Sequence, residues 1–588
     1  MDELVLTNGN IVDVCSLRIY KADIVIRDGR IARIDSAGGH SQAKTVIDVS
    51  GKYISPGLID SHLHIESSML APTEFSREAV IHGTTAVFVD PHEIANVFGR
   101  KGIDLFLEQS DLVPLDMFIG IPSCVPATHL EDSGGTVDLD DVRELLKDRR
   151  VYGLAEMMNF PGILHGSGDA REKVDVAFEF GKIVDGHCPG LSGDDLGMYI
   201  TNGRNDQIVR IMSDHEVTST SEAIEKQKAG MYVALRYGSA TKDLDRILPG
   251  LIAGGNLSLE RFMLCSDDLD PVELHQAGHV DRIVRRARDI IMDETALSLQ
   301  QATVLALSLA TMNPAKYFSR FLQFHSYPDI GQIAPGKKAN LVVFDSLEKL
   351  DVEKVLHNGK LVVDNGRYVG QSMEFDYSDF LGSINVGRKL LQSDFKVSYS
   401  GNEKCLNVKV IGVIEGSLET ELVELPADVC DGEIRPVGED IAKVAVIERH
   451  KQTGSCALGF VRGLGIERGA VASTVAHDSH NLIVAGVDDE CMARAANYLC
   501  ENGGGMAVSA GDMISYLPLK LGGLMSTSGI ETVVGEYRNM RNSVKAIGSS
   551  LENTLMTMAF LSLPVIPSLR ITNRGLVDVD KFRIVDLY

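Results

Sequence analysis

The spacing of apolar positions changes twice along the chain. Over residues 1–50 they fall in short β-rich runs: Leu4-Val5-Leu6, Ile11-Val12-Asp13-Val14, Asp23-Ile24-Val25-Ile26 and Arg30-Ile31-Ala32-Arg33-Ile34. Asn8-Gly9 and Asp28-Gly29 punctuate them and predict hairpin turns. From about residue 53 short apolar runs alternate with helical patterns, which predicts parallel strands joined by crossover helices. The runs are Tyr53–Ile59, Ala86–Val89, Met117–Ile119, Val151–Ala155, Ile183-Val184, Ile208–Met212, Met231–Leu235 and Phe262–Cys265. Eight such strands suit a closed (β/α)8 barrel. A doubly wound open sheet ranks second, because no Gly-rich phosphate loop follows the first strand.

A long helix is expected over 296–319, after which β texture returns at Gly331–Asp345 and Lys354–Lys360. These later strands complete the N-terminal β unit, so the barrel is inserted into it. Residues 366–400 read as a polar connection, and a Gly-rich α+β region follows from 401. The expected divisions are 1–52 and 321–370 for the two parts of the β unit, 53–320 for the barrel and 401–588 for the last domain.

Composition narrows the function classes. The 588 residues exceed one core, and 44% hydrophobic with 24% charged residues is ordinary for a globular protein. A net charge of −25 argues against binding a nucleic-acid backbone and leaves a small neutral or cationic substrate open. The nine cysteines are scattered without a CxxC pair, which fits reduced thiols in the cytoplasm. No signal peptide and no uncharged apolar run of about 18 residues is found.

Candidate chemistry sits where the strand-like runs end. In Asp60-Ser61-His62-Leu63-His64 the two imidazoles share one face of a strand and leave its end together, as half a metal site. Later ends carry Asp90-Pro91-His92-Glu93, Glu156, Asp185-Gly186-His187, Asp214-His215-Glu216 and Ser266-Asp267-Asp268. The βα loops of a barrel surround one axis, so these residues can converge. Histidines and carboxylates suit a borderline divalent cation such as Zn²⁺, Mn²⁺ or Fe²⁺. Glu156 is the best placed carboxylate to bridge two of them, and Asp267 to accept the proton of an activated water. Each residue has a duller reading. Asp267 or Asp268 suits a helix cap before Pro271, His187 a turn among Gly and Pro, and His215-Glu216 a solvated loop. Coincidence at six of eight strand ends favours the joint reading.

The motifs His62-Leu63-His64, His187, His215, Asp267 and Ile333–Asp345 resemble the amidohydrolase superfamily. Within it, Gly57–Met69, Asp90–Ile94, Gly153–Met158, Asp185–Leu191, His477–Asn481 and Leu561–Pro567 resemble the bacterial and archaeal adenine deaminase family. The resemblance implies an α/β fold with a (β/α)8 TIM-like barrel inserted in a small β-sandwich, plus a C-terminal α+β domain. It implies hydrolysis of adenine to hypoxanthine and ammonia, with a binuclear centre of Mn²⁺ or Fe²⁺ (Zn²⁺ as a further choice), in a cytoplasmic homodimer. Carried over, His62, His64, Glu156, His187, His215 and Asp267 form the metal shell, and Glu156 stands where many superfamily members have a carboxylated lysine. Glu216 and Glu93 are the candidates for protonating the purine ring. His92 is open between outer support, added ligand and proton donor. Ser123, Arg236 and Ser239, near the third and seventh strand ends, are candidates to hold the base, each with a structural role as the rival reading. His477-Asp478-Ser479-His480 reads as structural or as an interdomain contact, because a local cluster rarely forms a triad. Rival functions are a cyclic-amide hydrolase of the dihydroorotase or hydantoinase kind, against which Glu156 speaks, and a metal-free scaffold, against which the histidines speak.

Overall fold

The computed structural model describes residues 2–38, 43–255, 258–319 and 329–588. The division expected at 320/321 lies outside the described residues. Eight short parallel strands form the barrel. Leu58–Leu63, Thr84–Val89, Asp116–Ile121, Val151–Met157 and Ile183–Gly186 make one arc, and Ser213–Asp214, Tyr232–Arg236 and Phe262–Cys265 the other. The arcs are joined where Met212 N donates to Val184 O (3.2 Å) and Asp267 N to His62 O (3.1 Å). Inside, Ala86 and Phe88, two residues apart and so on one face, pack with Tyr152, Ile183, Met263 and Phe318 into an apolar plug. Above the plug the lining becomes polar. Asp60, fully buried, accepts from Ser266 Oγ (2.6 Å) and faces His279 Nε2 at 3.0 Å, and the other nitrogen of His279 meets Thr84 Oγ1 at 2.7 Å. That chain of contacts ties the first, second and eighth strands together.

Four local expectations are corrected. Tyr53–Ile59 is not one strand. Tyr53–Pro56 pairs with Leu341–Phe344 outside the barrel, and the barrel strand starts at Leu58. Gly57 is the joint, since a Cβ there would sit 1.9 Å from Thr85 Oγ1. Ile208–Met212 is not a strand, and only Ser213–Asp214 pairs in the sixth position. The long helix over 296–319 is two helices, Leu299–Leu309 and Met312–Phe318. Pro314 has no N–H and its ring would strike the carbonyl of Ala310 in a continuous helix. Asn8-Gly9 is not a hairpin turn. It lies within the strand Leu4–Asp13 as a bulge, with Asn8 in the left-handed region at φ 63°. Asp28-Gly29 does turn a hairpin, with both residues at positive φ.

The small β-sandwich that carries the barrel is one continuous nine-stranded sheet drawn from both sides of it, residues 4–56 and 341–368, with its own core of Leu6, Ile24, Ile54, Leu341, Val343 and Leu356. The C-terminal domain is built on a second nine-stranded sheet over 405–518. Its central strands alternate. Ala445, Ala472 and Val484 face the helix Asp489–Asn502, while Val444, Val471 and Ala485 belong to the large core shared with the helix Ile530–Ala546. The segment 474–481, between two of these strands, runs against the barrel. Asn481 Nδ2 donates to Asp132 O (2.7 Å), and the fully buried Arg449 donates to the carbonyls of His480, Thr474 and Gly522.

Candidate metal centre and active site

Strand ends decide the geometry. The first strand delivers His62 from its last turn of pairing and His64 one residue beyond it. His64 Nδ1 lies 3.0 Å from the carbonyl of Asp90. A carbonyl only accepts, so Nδ1 carries a hydrogen and Nε2 is the nitrogen turned to the carboxylates at the barrel mouth. The fourth strand places Glu156 at the centre. Its Oε2 meets His187 Nδ1 at 2.6 Å and His215 Nε2 at 3.1 Å, and its Oε1 lies 3.6 Å from both His64 Nε2 and His92 Nδ1. Asp267 follows the eighth strand with φ 55°, a left-handed turn that aspartate tolerates. The turn carries its carboxylate to 3.3 Å from His64 Nε2 and 3.7 Å from His62 Nε2. His62 stacks on His215 with ring centroids 3.9 Å apart. The six residues of the expected metal shell thus lie in one cluster, and all but His187 are fully buried.

The electrostatics suit cations. Burial alone would raise the pKa of Glu156, but hydrogen bonds and charge from His187 and His215 overcome it and hold the carboxyl well below its usual range. The same contest at Asp267 is decided by His64 and Arg236, again far on the ionised side. Burial, reinforced by His215 and His64, keeps His62 neutral with its pKa well below 6.5. Both ring nitrogens of His62 are buried without a hydrogen-bond partner among the described residues. Orphaned imidazole nitrogens cost free energy unless something satisfies them. Two anionic carboxylates among four imidazoles form a donor set for a divalent cation, and His62, His215 and Asp267, like Glu156, His187 and His215, present donors within 4.8 Å of one another.

The remaining candidates are spread around this cluster. Arg236 bonds Glu216, lies 3.3 Å from Asp267 Oδ2 and is anchored behind by Asp243. It therefore sets the position of two carboxylates. Glu93 is buried with one oxygen 3.1 Å from Ser67 Oγ, whose hydrogen goes to the nearer Asp268 (2.5 Å), and faces His480 Nε2 at 3.6 Å. The two serines are engaged elsewhere. Ser123 Oγ donates to the carbonyl of Glu156 (2.6 Å), and Ser239 Oγ bonds Glu273 (3.1 Å) and the amide of Asp270 (2.9 Å), so both brace strand ends instead of facing a base. Lys226, also buried, donates to Asp214 Oδ2 (2.5 Å) and to the carbonyl of Cys188 (2.7 Å) and so ties the end of the sixth strand to that of the fifth.

Sequence reasoning assigns no role at the site to Glu66, takes Asp268 only as a strand-end or helix-cap residue, and reads His477–His480 as structural or as an interdomain contact; all of them lie beside the same mouth. Asp478 Oδ1 lies 3.7 Å from His92 Nε2. Glu66 sat in a motif, but no periodicity marks its direction. The approach of residues 477–480 depends on the docking of a separate domain, so the interdomain reading gives the contact without naming His92 as its partner.

Known proteins resemble the chain along its whole length. The pattern described as "Amidohydrolase family" matches residues 53–362, and that described as "Adenine deaminase C-terminal domain" matches 417–583. A protein named adenine deaminase from Desulfatibacillum aliphaticivorans is 39% identical over 100% of this chain and 97% of its own. One of the same name from Methanothrix thermoacetophila is 40% identical, with the same coverage. Among solved structures, a β-aspartyl dipeptidase from Fervidobacterium islandicum AW-1 is 15% identical over 63% of this chain and 100% of its own, with a TM-score of 0.46.

Proposed function

Because the chain belongs to the amidohydrolase family, within its adenine deaminases, we propose that it hydrolyses adenine to hypoxanthine and ammonia at the Glu156-centred cluster. The observation that carries this reading is the convergence of His62, His64, Glu156, His187, His215 and Asp267 in a chain 39–40% identical, end to end, to proteins of that name.

We assign these six residues to a binuclear centre of Mn²⁺ or Fe²⁺, with Zn²⁺ able to use the same donors. When bound, such cations lower the pKa of a water and make it a nucleophile at neutral pH. The protein's own groups do the rest. Asp267, ionised and held by Arg236, accepts the proton of the attacking water and passes it to the departing amine. Attack at C6 of the purine drives negative charge onto the ring nitrogens, so a neutral acid is needed there. Burial, with the neighbouring Glu66 next in weight, pushes Glu93 well above the usual carboxylate range and keeps a proton on it. Glu93 is therefore our choice of ring donor ahead of Glu216, which is tied to Arg236. Glu156, a native glutamate, needs no carbon dioxide to become a bridge, unlike the lysine of cyclic-amide hydrolases.

We place the enzyme in the cytoplasm as a homodimer. All nine cysteines are free, and among the described residues no helix is long and apolar enough to cross a membrane. The direct test is an ultraviolet assay of adenine with the protein and Mn²⁺. Conversion to the hypoxanthine spectrum with equimolar ammonia is expected. An unchanged adenine spectrum with turnover of a cyclic amide would reject the reading.

A further inference from the structure

The segment 477–481 brings a second group of donors against the outer side of His92. Asp478 is buried, its Oδ1 stands 3.7 Å from His92 Nε2 and 3.8 Å from His477 Nδ1, and its Oδ2 has no hydrogen-bond partner among the described residues. Both separations exceed a hydrogen bond. A carboxylate withdrawn from water with neither imidazole in bonding range is costly as an ion pair. The same separations are close to those between ligands of one tetrahedral metal, about 3.3–3.6 Å for bonds near 2.0–2.2 Å. His92, His477 and Asp478 offer donors that all lie within 4.8 Å of one another. We propose that His92 Nε2, His477 Nδ1 and Asp478 form a further divalent-cation site, separate from the Glu156-centred one, on the seam between the barrel and the C-terminal domain.

The supporting contacts orient each ligand. His92 Nδ1 lies 3.5 Å from Asp90 Oδ2 and 3.6 Å from Glu156 Oε1, hydrogen-bonded to neither, so that nitrogen is turned to the Glu156 cluster and Nε2 to Asp478. The ring of His477 stacks on Phe560 with centroids 4.3 Å apart and an interplanar angle of 9°, which fixes where Nδ1 points. His480 is not a ligand. Its Nδ1 accepts from the amide of Ala476 (3.2 Å), so its Nε2 carries the hydrogen and faces Glu93. Two imidazoles and one carboxylate select Mn²⁺, Fe²⁺ or Zn²⁺ over Ca²⁺ or Mg²⁺, and three protein donors leave a position for water. A cation held by ligands from both domains also tightens their docking, because it binds only the docked state.

The site goes beyond the deaminase reading, and its test reads metal, not turnover. Full-length protein is loaded with Mn²⁺, desalted and analysed for metal per chain. His477→Ala should carry about one equivalent less than the wild type, and equal content in the two would overturn the proposal. Crystals of the wild-type protein grown with Mn²⁺ give a second reading that needs no variant. An anomalous peak between His92, His477 and Asp478 is expected, and peaks confined to the Glu156 cluster would overturn the site. Failure to deaminate adenine would count against the proposed reaction and leave both metal measurements standing.

Discussion

Asp267 combines two tasks that substitution can separate. Its carboxylate faces His62 and His64, and its charge is held by Arg236. Asp267→Asn keeps an oxygen donor and the left-handed turn but cannot accept a proton, so bound metal should persist while turnover of adenine falls by a factor of about 10² or more. Metal analysis beside the ultraviolet assay reads both quantities, and near-normal turnover would remove Asp267 from the proton path. His62→Ala differs, because it deletes one of the orphaned imidazoles and opens a buried hole beside His215. It should lose metal and activity together. Both residues are legible from the chain alone, since an HxH pair leaving a strand and an aspartate ending another announce their direction. The direction of Glu66 is not, because burial among other carboxylates is a property of the assembled mouth.

At the level of elements, short strands need cross-ties. Asp60 joins Ser266 and His279 across the barrel seam, with every partner buried. Asp60→Ala leaves those partners unsatisfied and should cost about 3–5 kcal/mol in urea unfolding. A pH-dependent tie holds the first barrel helix, Pro72–Ile81. His82, just past its end, lies 3.5 Å from Asp281 and 3.6 Å from Glu78. Burial opposes protonation, but Asp281 and then Glu78 outweigh it and raise the pKa from 6.5 to about 9. The protonated form is favoured in the folded chain, so this contribution is whole below pH about 6.5 and fades as pH rises through about 9. His82→Gln should therefore destabilise by about 1–3 kcal/mol at pH 6 and much less near pH 10. A constant difference across that range would contradict the assignment. The parallel strands and the small β unit were readable from apolar spacing. Their joints were not: Gly57 splits one apolar run, Pro314 breaks one helix, and Asn8 folds an expected turn into a bulge, each through backbone geometry that hydrophobic periodicity does not encode.

For the molecule as a whole, the active-site mouth is shared property of two domains. Arg449, buried among the carbonyls of His480, Thr474 and Gly522, is the pin that shapes the visiting segment. Arg449→Met strips donors from those carbonyls. It should lower stability by about 2–4 kcal/mol and speed amide hydrogen exchange across 474–481, with the barrel strands unaffected. Uniform exchange over the whole chain would instead mean that the arginine supports the global fold. The sequence marked 477–481 as unusual, yet its destination depends on how two large surfaces meet.

The placement of that segment has a temporal consequence. Residues 477–481 emerge about two hundred residues after Asp267, an interval of roughly 10–40 s at ordinary rates of synthesis. A nascent chain can close its barrel and gather the Glu156 cluster well before the outer wall of His92 exists. Maturation of the mouth is thus staged by translation itself, the floor early and the far rim late.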